Sequence, residues 1–291
     1  MSFSQKHLIV IAGPTASGKT ATAVRLAKQY RTVVLSADSR QFYREMSIGT
    51  AKPTPEEMEG IPHYFIDSLS IFDEYSVGDF ERDALALLDR LYLEHQVVVL
   101  AGGSGLFIKA LCQGLDKFPE VSSEVRNRME TLYQEKGLGY LQEYLKRVDP
   151  VYYEEVDRNN PQRLIRALSV YEASGKPFSG FRKGGSALRP FTPVYMLLEM
   201  DRKELYRRID LRVDWMFELG LEEEARKLYP FRSQNALQTV GYQELFDFFE
   251  GKTTREEAIA LIKQHSRNYA KRQLTWFGKQ EGWSRFHPDA V

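Results

Sequence analysis

The apolar segment Leu8-Ile9-Val10-Ile11-Ala12 runs straight into Gly13-Pro14-Thr15-Ala16-Ser17-Gly18-Lys19-Thr20, and a helical stretch follows at once. This order of apolar run, glycine-bounded loop and helix commits the chain to an α/β arrangement, because such a loop works only where a buried strand delivers it to a helix N-terminus. The glycines let backbone N–H groups turn inward on a phosphate, Lys19 reaches the outer oxygens, and the helix adds its positive end. The Thr20 hydroxyl suits Mg²⁺. All eight residues from Gly13 to Thr20 are therefore candidate ligands of a phosphorylated compound, with Thr20 the candidate metal ligand. The loop does not say which compound.

Three further apolar runs, Thr32–Ala37, Val97–Ala101 and Val194–Leu198, are short and nearly continuous, as parallel strands covered on both faces should be. Between strands, Val77–Glu94 carries Phe80, Ala84, Leu87, Leu88 and Leu91 at helical spacing. This alternation predicts an α/β fold with a doubly wound parallel sheet, its ligands lying beyond the carboxyl ends of the strands. Residues 117–190 break the pattern and read as helices only. Their breaks fall at Gly137, Asp149-Pro150, Asn160-Pro161 and Gly175-Lys176-Pro177, before a glycine-rich stretch at 178–186. The expected organisation is a core domain of residues 1–116 and 191–291 with an all-helical insertion at 117–190. Asp201 with Glu204, and Thr253 with Glu256, read as capping pairs that open two later helices.

Composition closes off several function classes. The 291 residues are 43% hydrophobic and 27% charged, which is ordinary for a globular protein. The single cysteine, Cys112, excludes a disulfide framework and a cysteine zinc site, and it is expected to be buried and inert. No apolar run approaches bilayer length and no basic region with a cleavage site precedes the first strand, so the expected location is cytoplasmic, away from membranes. The net charge of +0 hides segregation. Residues 53–94 hold eleven acids against Arg82 and Arg90, residues 158–189 hold seven Lys or Arg against Glu172, and residues 251–285 hold eight against three acids. Two basic stretches on a neutral chain fit either contact with a polyanion or solvated helix faces.

The second strand ends in Ser36-Ala37-Asp38-Ser39-Arg40-Gln41, which puts Asp38 at the ligand-bearing edge beside the phosphate loop. A carboxylate there can be a base, a metal ligand or a turn cap. Gly102-Gly103-Ser104-Gly105 forms a second loop at the same edge, permitting close backbone approach. An ATP-hydrolysing switch wants an acid ending an apolar strand, but Val97–Ala101 ends in glycine and Asp201 already has a capping role. Arg207, Arg208 and Arg212 crowd one helix, and Arg208 with Arg212 share a face. They can neutralise a leaving diphosphate or pair with Glu204, Asp210 and Asp214. In the insertion Asn160-Pro161 starts a helix whose first turns carry Gln162, Arg163 and Arg166, with Leu164, Ile165 and Leu168 able to face a core. In the last helix Lys263, Arg267 and Lys271 recur every fourth residue, with Arg272, Tyr269, Trp276 and Phe277 interleaved. Both stripes fit phosphate contact, the aromatics fit a core as well as a stacking platform.

Taken together, the phosphate loop, Asp38-Ser39-Arg40-Gln41-Phe42-Tyr43, Ile48-Gly49-Thr50-Ala51-Lys52-Pro53, Gly102–Phe107, Asn160–Arg163 through Arg166-Ala167, Arg208-Ile209 with Arg212, Val240-Gly241-Tyr242 and Ala270–Trp276 follow one order along almost the whole chain. In this the chain resembles the tRNA dimethylallyltransferases, also called tRNA isopentenyltransferases. The resemblance implies a parallel sheet of the phosphate-loop NTPase type with a helical swivel domain at 117–190 that clamps the anticodon stem. It implies transfer of a dimethylallyl group from dimethylallyl diphosphate to the exocyclic amine of the adenosine immediately 3′ of the tRNA anticodon, with Mg²⁺ as cofactor; a monomer is expected, though the sequence does not fix the oligomeric state. Carried over, Asp38 would be the general base, Lys19, Thr20 and Arg208 would serve the diphosphate, and Ser104 would complete the catalytic set. Asp38, Ser39, Arg40, Gln41, Ser104, Arg126, Gln162, Arg163, Leu164, Ile165 and Arg166, with the Val240-Gly241-Tyr242 region, would meet tRNA. Ser104 stands where threonine is usual and Phe107 where tyrosine is frequent, and the sequence lacks the zinc finger of eukaryotic members. Three other readings stay open: prenylation of free adenine nucleotides, a phosphate-loop nucleotide kinase, and a non-catalytic RNA-binding module.

Overall fold

The computed structural model describes residues 5–182 and 187–290, so that residues 183–186 of the glycine-rich stretch lie outside the description. The chain divides into two compact units, one of Met1–Cys112 with Leu188–Val291 and the other of Gln113–Ala187. The first unit opens with β1 (His7–Ala12), α1 (Lys19–Tyr30), β2 (Val34–Ser36), α2 (Pro55–Met58), β3 (His63–Tyr64), α3 (Val77–Leu91), β4 (Val97–Gly102) and α4 (Gly105–Gln113). Three helices, α5 (Ser123–Val148), α6 (Pro150–Glu155) and α7 (Pro161–Ser174), build the second unit. The chain then returns through β5 (Thr192–Leu198), α8 (Arg202–Glu218), α9 (Leu221–Leu228), α10 (Tyr242–Phe249), α11 (Arg255–Gly278) and β6 (Ser284–Phe286).

The six strands form one parallel sheet in the order β3-β2-β4-β1-β5-β6. Leu8, Val10 and Ala12 of β1 face a core that includes Phe80, Leu88, Ile108 and Phe277, while Ile9 and Ile11 face Ala23 and Ala27 of α1. Both faces are covered, which is why the central strands read as unbroken apolar runs. β3 and β6 were not anticipated. They span two and three residues and pair on one side only, so neither carries enough pattern to be read. The parallel order brings the ends of β1, β2 and β4 to one edge, and the loops after them build the candidate site.

Helix α11 starts one residue later than its expected cap. Thr254, not Thr253, takes the Glu257 N–H, and the Glu257 carboxylate reaches back to the Thr254 N–H, so the pair is Thr254 with Glu257 instead of Thr253 with Glu256. That frame turns Ala258 and Ile262 into the core. Asp201 does cap α8, through the Lys203 and Glu204 N–H groups. Cys112 is buried, and burial pushes its thiol up to about 12, so it is an inert core group.

In the helical unit, Gly137 interrupts α5 with φ 75, a left-handed conformation that only glycine adopts readily. Leu141, Leu145, Leu164 and Leu168 fill the space between α5 and α7. Buried Asp149 caps α6 through the Tyr152 N–H and also accepts from the Ser179 N–H and hydroxyl. No described helix is long and apolar enough to cross a membrane.

Candidate active site

The phosphate loop leaves β1 and enters α1 through Gly18, whose φ of 85 suits glycine. A Cβ at Gly13 would meet Ser17 Oγ at 2.7 Å and the Leu198 carbonyl at 3.0 Å, so this position requires the smallest residue. Helix α1 has no side-chain cap and no acid in its first turn, which leaves its N–H groups for an anion. Lys19 Nζ folds back over the loop and donates to the carbonyls of Gly13 at 3.1 Å and Pro14 at 2.7 Å. Withdrawal from water brings its pKa down to about 8, against the opposing pull of the Asp38 carboxylate. Thr15 is held from two sides: its N–H donates to Gln273 Oε1 at 2.9 Å and its hydroxyl accepts from Arg212 at 3.3 Å.

Lys19, Thr20, Ser36, Asp38 and Gln41 line one crevice. Ala23, Val34, Pro53, Ile66 and Ala101 give it an apolar wall suited to a hydrocarbon group. Asp38 has two tasks. Its Oδ1 accepts the Arg40 N–H at 3.1 Å and so closes the turn after β2, while the carboxylate also faces the crevice. The Gly102–Gly105 loop lies against this turn: a Cβ at Gly102 would sit 2.2 Å from the Ala37 carbonyl. Ser104 Oγ accepts the Ser39 N–H at 3.1 Å and donates to Ser39 Oγ at 3.3 Å, which ties the two loops together. Gln41 donates to the Ala51 carbonyl at 3.1 Å and accepts from Ser36 Oγ at 3.2 Å. Tyr269 of α11 stands near Asp38 and Ser104, and burial, then the Asp38 charge, pushes its phenol up to about 12.

Several expected residues are placed otherwise. Arg208 donates to Glu204 at 2.8 Å, and Arg207 chelates the same carboxylate, so the pairing alternative applies to both. The cation that meets the phosphate loop is half-buried Arg212, which has no ion pair among the described residues. The Arg40 guanidinium donates to the carbonyls of Asn235 and Ala236, each at 3.0 Å. Leu164 and Ile165 are 0% and 3% exposed in the core of the helical unit, which removes their side chains from any tRNA-facing surface. Their neighbours Gln162, Arg163 and Arg166 are exposed on the opposite face of α7, and Arg126 is exposed on the first turn of α5. Among the described residues none of these three arginines forms a salt bridge. Tyr242 is likewise buried, its hydroxyl donating to Glu224 at 2.7 Å while its ring packs on Gly49. Along α11, Lys263 pairs with Asp214 and Arg267 with Asp210, while Lys271 and Arg272 stay exposed. Trp276 and Phe277 belong to the core.

Arg212, Gln273 and Tyr269 are the site residues that sequence reasoning did not select. Arg212 shares a helix face with Arg208, so the signal was present without a means of choosing between them. Gln273 and Tyr269 lie within or beside the Ala270–Trp276 string, which marked them as a group without assigning a task.

The sequence model of the family described as IPP transferase matches residues 41–280. The tRNA dimethylallyltransferase of Cytophaga hutchinsonii is 51% identical over 291 residues, covering 100% of this chain and 96% of that protein. The tRNA dimethylallyltransferase of Christiangramia forsetii is 50% identical over 273 residues, 94% of this chain and 90% of its own. Among solved structures, the full-length tRNA isopentenylpyrophosphate transferase of Bacillus halodurans superposes with a TM-score of 0.72 at 38% identity, covering 98% of this chain and 90% of that one. A eukaryotic dimethylallyltransferase acting on tRNA gives a TM-score of 0.82 at 26% identity over 97% of this chain and 74% of its own. Matched in sequence and in fold over nearly its full length, the chain belongs to the IPP transferase family and is a transferase.

Proposed function

We propose that the enzyme transfers a dimethylallyl group from dimethylallyl diphosphate to the N6 amine of the adenosine immediately 3′ of a tRNA anticodon. The observation that carries this reading is one crevice lined both by Lys19 and Thr20 of the phosphate loop and by Asp38, with apolar residues among its lining. In the reaction the bond from N6 to the allylic C1 forms as the bond from C1 to the diphosphate oxygen breaks, and Asp38 takes the N6 proton. Lys19, Arg212 and the uncapped N–H groups of α1 meet the charge that grows on the leaving diphosphate. Thr20 lines the crevice, and its hydroxyl, a hard oxygen donor, would help hold Mg²⁺, which would supply further positive charge toward the leaving group. An amine buried in base stacking must be extruded before it can react, so the enzyme needs RNA-binding surface as well as a crevice. Arg126, Arg163 and Arg166 on the helical unit, exposed and without a salt bridge among the described residues, favour a polynucleotide acceptor over a free adenine nucleotide.

The test is mass spectrometry of nucleosides from tRNA incubated with enzyme, Mg²⁺ and dimethylallyl diphosphate, with AMP as a parallel acceptor. One added five-carbon unit on an anticodon-loop adenosine is expected. Unmodified tRNA at saturating donor would overturn the reading, and modified AMP alone would replace it with the free-nucleotide one.

Two results follow from individual side chains. Free-enzyme Lys19, with its pKa near 8, carries its positive charge below that pH and loses it above. The donor's phosphates are fully ionised well below this range, as the second phosphate pKa near 6 requires. Hence kcat/KM for dimethylallyl diphosphate should fall as pH rises through about 8, and Lys19→Arg, always charged, should flatten that limb while lowering the overall rate. Arg163→Ala with Arg166→Ala should weaken tRNA binding and reduce the slope of log K against log salt by about 2, near one per lost phosphate contact. An unchanged slope would assign both arginines to the helical unit's own stability.

A further inference from the structure

The string Ala270–Trp276 is the part of the family pattern for which the mechanism above has no use. Its centre, Gln273, is 6% exposed, and both ends of its amide are engaged. The Oε1 accepts the Thr15 N–H of the phosphate loop at 2.9 Å, and the Nε2 donates to the Gly103 carbonyl at 3.0 Å. These partners belong to the phosphate loop and to the Gly102–Gly105 loop, each of which contributes to the crevice. Thr15 sits in the loop that would grip the diphosphate, and Gly103 precedes Ser104, which is bonded to the Asp38–Ser39 turn. The flanking residues anchor the amide: Ala270 packs with Ala16, Leu205 and Ile209, and a Cβ at Gly105 would sit 2.4 Å from the Trp276 ring.

We propose that Gln273 is a positioning residue that sets the separation between the phosphate loop and the Ser104 loop, and through it the approach of the acceptor amine to the donor carbon. The proposal rests on the dimethylallyl-transfer reading. Gln273 touches neither substrate. It acts by fixing two backbone segments, at Thr15 and Gly103, that follow the neighbouring strands β1 and β4. Because an amide has one acceptor and one donor end, it satisfies a backbone N–H on one loop and a backbone carbonyl on the other at once. No apolar side chain can do this, and a carboxylate lacks the donor. The same contact explains the glycine at position 103: a Cβ there would lie 2.1 Å from Gln273 Nε2, so the loop and the amide can meet only if residue 103 has no side chain.

The test is a double-mutant cycle on the full-length enzyme with Gln273→Met, which keeps the volume but makes neither bond, and Gly103→Ala, which pushes the flexible amide off its carbonyl. Rates are read per folded enzyme, with tRNA and dimethylallyl diphosphate each varied. Positioning predicts that Gln273→Met lowers kcat about thirty-fold, the order expected of two buried neutral hydrogen bonds, while both KM values stay within about threefold. It also predicts that the double variant is no slower than the slower single one, since each substitution breaks the same link. A kcat within threefold of the parent for either single variant, or losses that multiply in the double one, would overturn the proposal. Should Gln273→Met fold poorly, Gly103→Ala carries the test alone, because its clash is with a movable side-chain end. A parent enzyme that modifies no tRNA counts against the prenyl-transfer reading, whereas an active parent with unaffected variants counts against the staple alone.

Discussion

Asp38→Asn is expected to lower the single-turnover rate of prenyl transfer by roughly 10²–10⁴-fold, the usual contribution of a general base, while leaving the Kd for tRNA within a few-fold. The choice of asparagine follows from the double role of the side chain. Oδ1 accepts the Arg40 N–H at 3.1 Å and closes the turn that presents the residue to the crevice. An asparagine carbonyl can make that bond in the same place, so the turn, the Ser39 contact with Ser104 and the shape of the site persist. What disappears is the negative charge and the ability to accept a proton from N6. Asp38→Ala removes both functions, so its excess loss over Asp38→Asn measures the turn and not the chemistry. Binding is followed by filter retention and transfer by radiolabelled donor at saturation. A near-parental rate for Asp38→Asn with tRNA would take the carboxylate out of the reaction, and a large rise in Kd would make it a recognition residue instead.

How much of this was legible before the structure depends on the range of the interaction that decides each feature. The phosphate loop, β1 and α1 are decided locally: an apolar run, two glycines and a lysine at fixed spacing leave one conformation available. The strands β2 and β4 are nearly as clear, because burial on both faces writes itself into the sequence as continuous apolar residues, whereas β5 reads as an apolar run although only Leu197 and Leu198 are fully buried and Val194 is exposed. The His63–Tyr64 and Ser284–Phe286 strands are decided instead by a neighbour that supplies hydrogen bonds to a stretch too short to show a period. Around α11, adjacent threonines and adjacent glutamates allow two capping frames, and the one that buries Ala258 and Ile262 prevails. The site divides the same way. Asp38 and Ser104 were found because each follows a strand, and strand ends at this edge of the sheet are where ligands bind. Gln273 was invisible in that sense, since a neutral amide gains its meaning only from two backbone groups 258 and 170 residues away. The basic stripe of α11 shows the limit of charge counting: Lys263 and Arg267 find carboxylates on α8, whereas Lys271 and Arg272 form no salt bridge among the described residues.

The same limit governs Arg208 and Arg212, one helical turn apart on α8 and identical in chemistry, and it yields the second large expected effect. Arg212→Ala should reduce kcat/KM for dimethylallyl diphosphate by about 10²–10³-fold, as removal of a fixed charge aimed at a developing anion does in other enzymes. Arg208→Ala should cost less than about tenfold. Glu204 decides the difference. It takes both Arg207 and Arg208 into a surface cluster, and exposed pairs of that kind contribute about 0–1 kcal/mol to stability and little to a distant charge. Arg212 is left with the Thr15 hydroxyl and the nearby carboxylates of Glu57 and Asp38, neither of which forms a salt bridge with it. A half-buried guanidinium without a close counter-ion has a desolvation cost that its present contacts do not offset. A bound diphosphate would offset it through the bidentate geometry that guanidinium and phosphate share. Arg212→Ala is therefore expected to leave the melting temperature unchanged or slightly raised while donor affinity falls, a combination that loss of a structural ion pair would not give. Pyrophosphate titration calorimetry on both variants, run beside thermal melts, separates the two cases. If Arg208→Ala proves the more damaging, Glu204 must release it when the donor binds, and the assignment of the leaving-group cation reverts to Arg208.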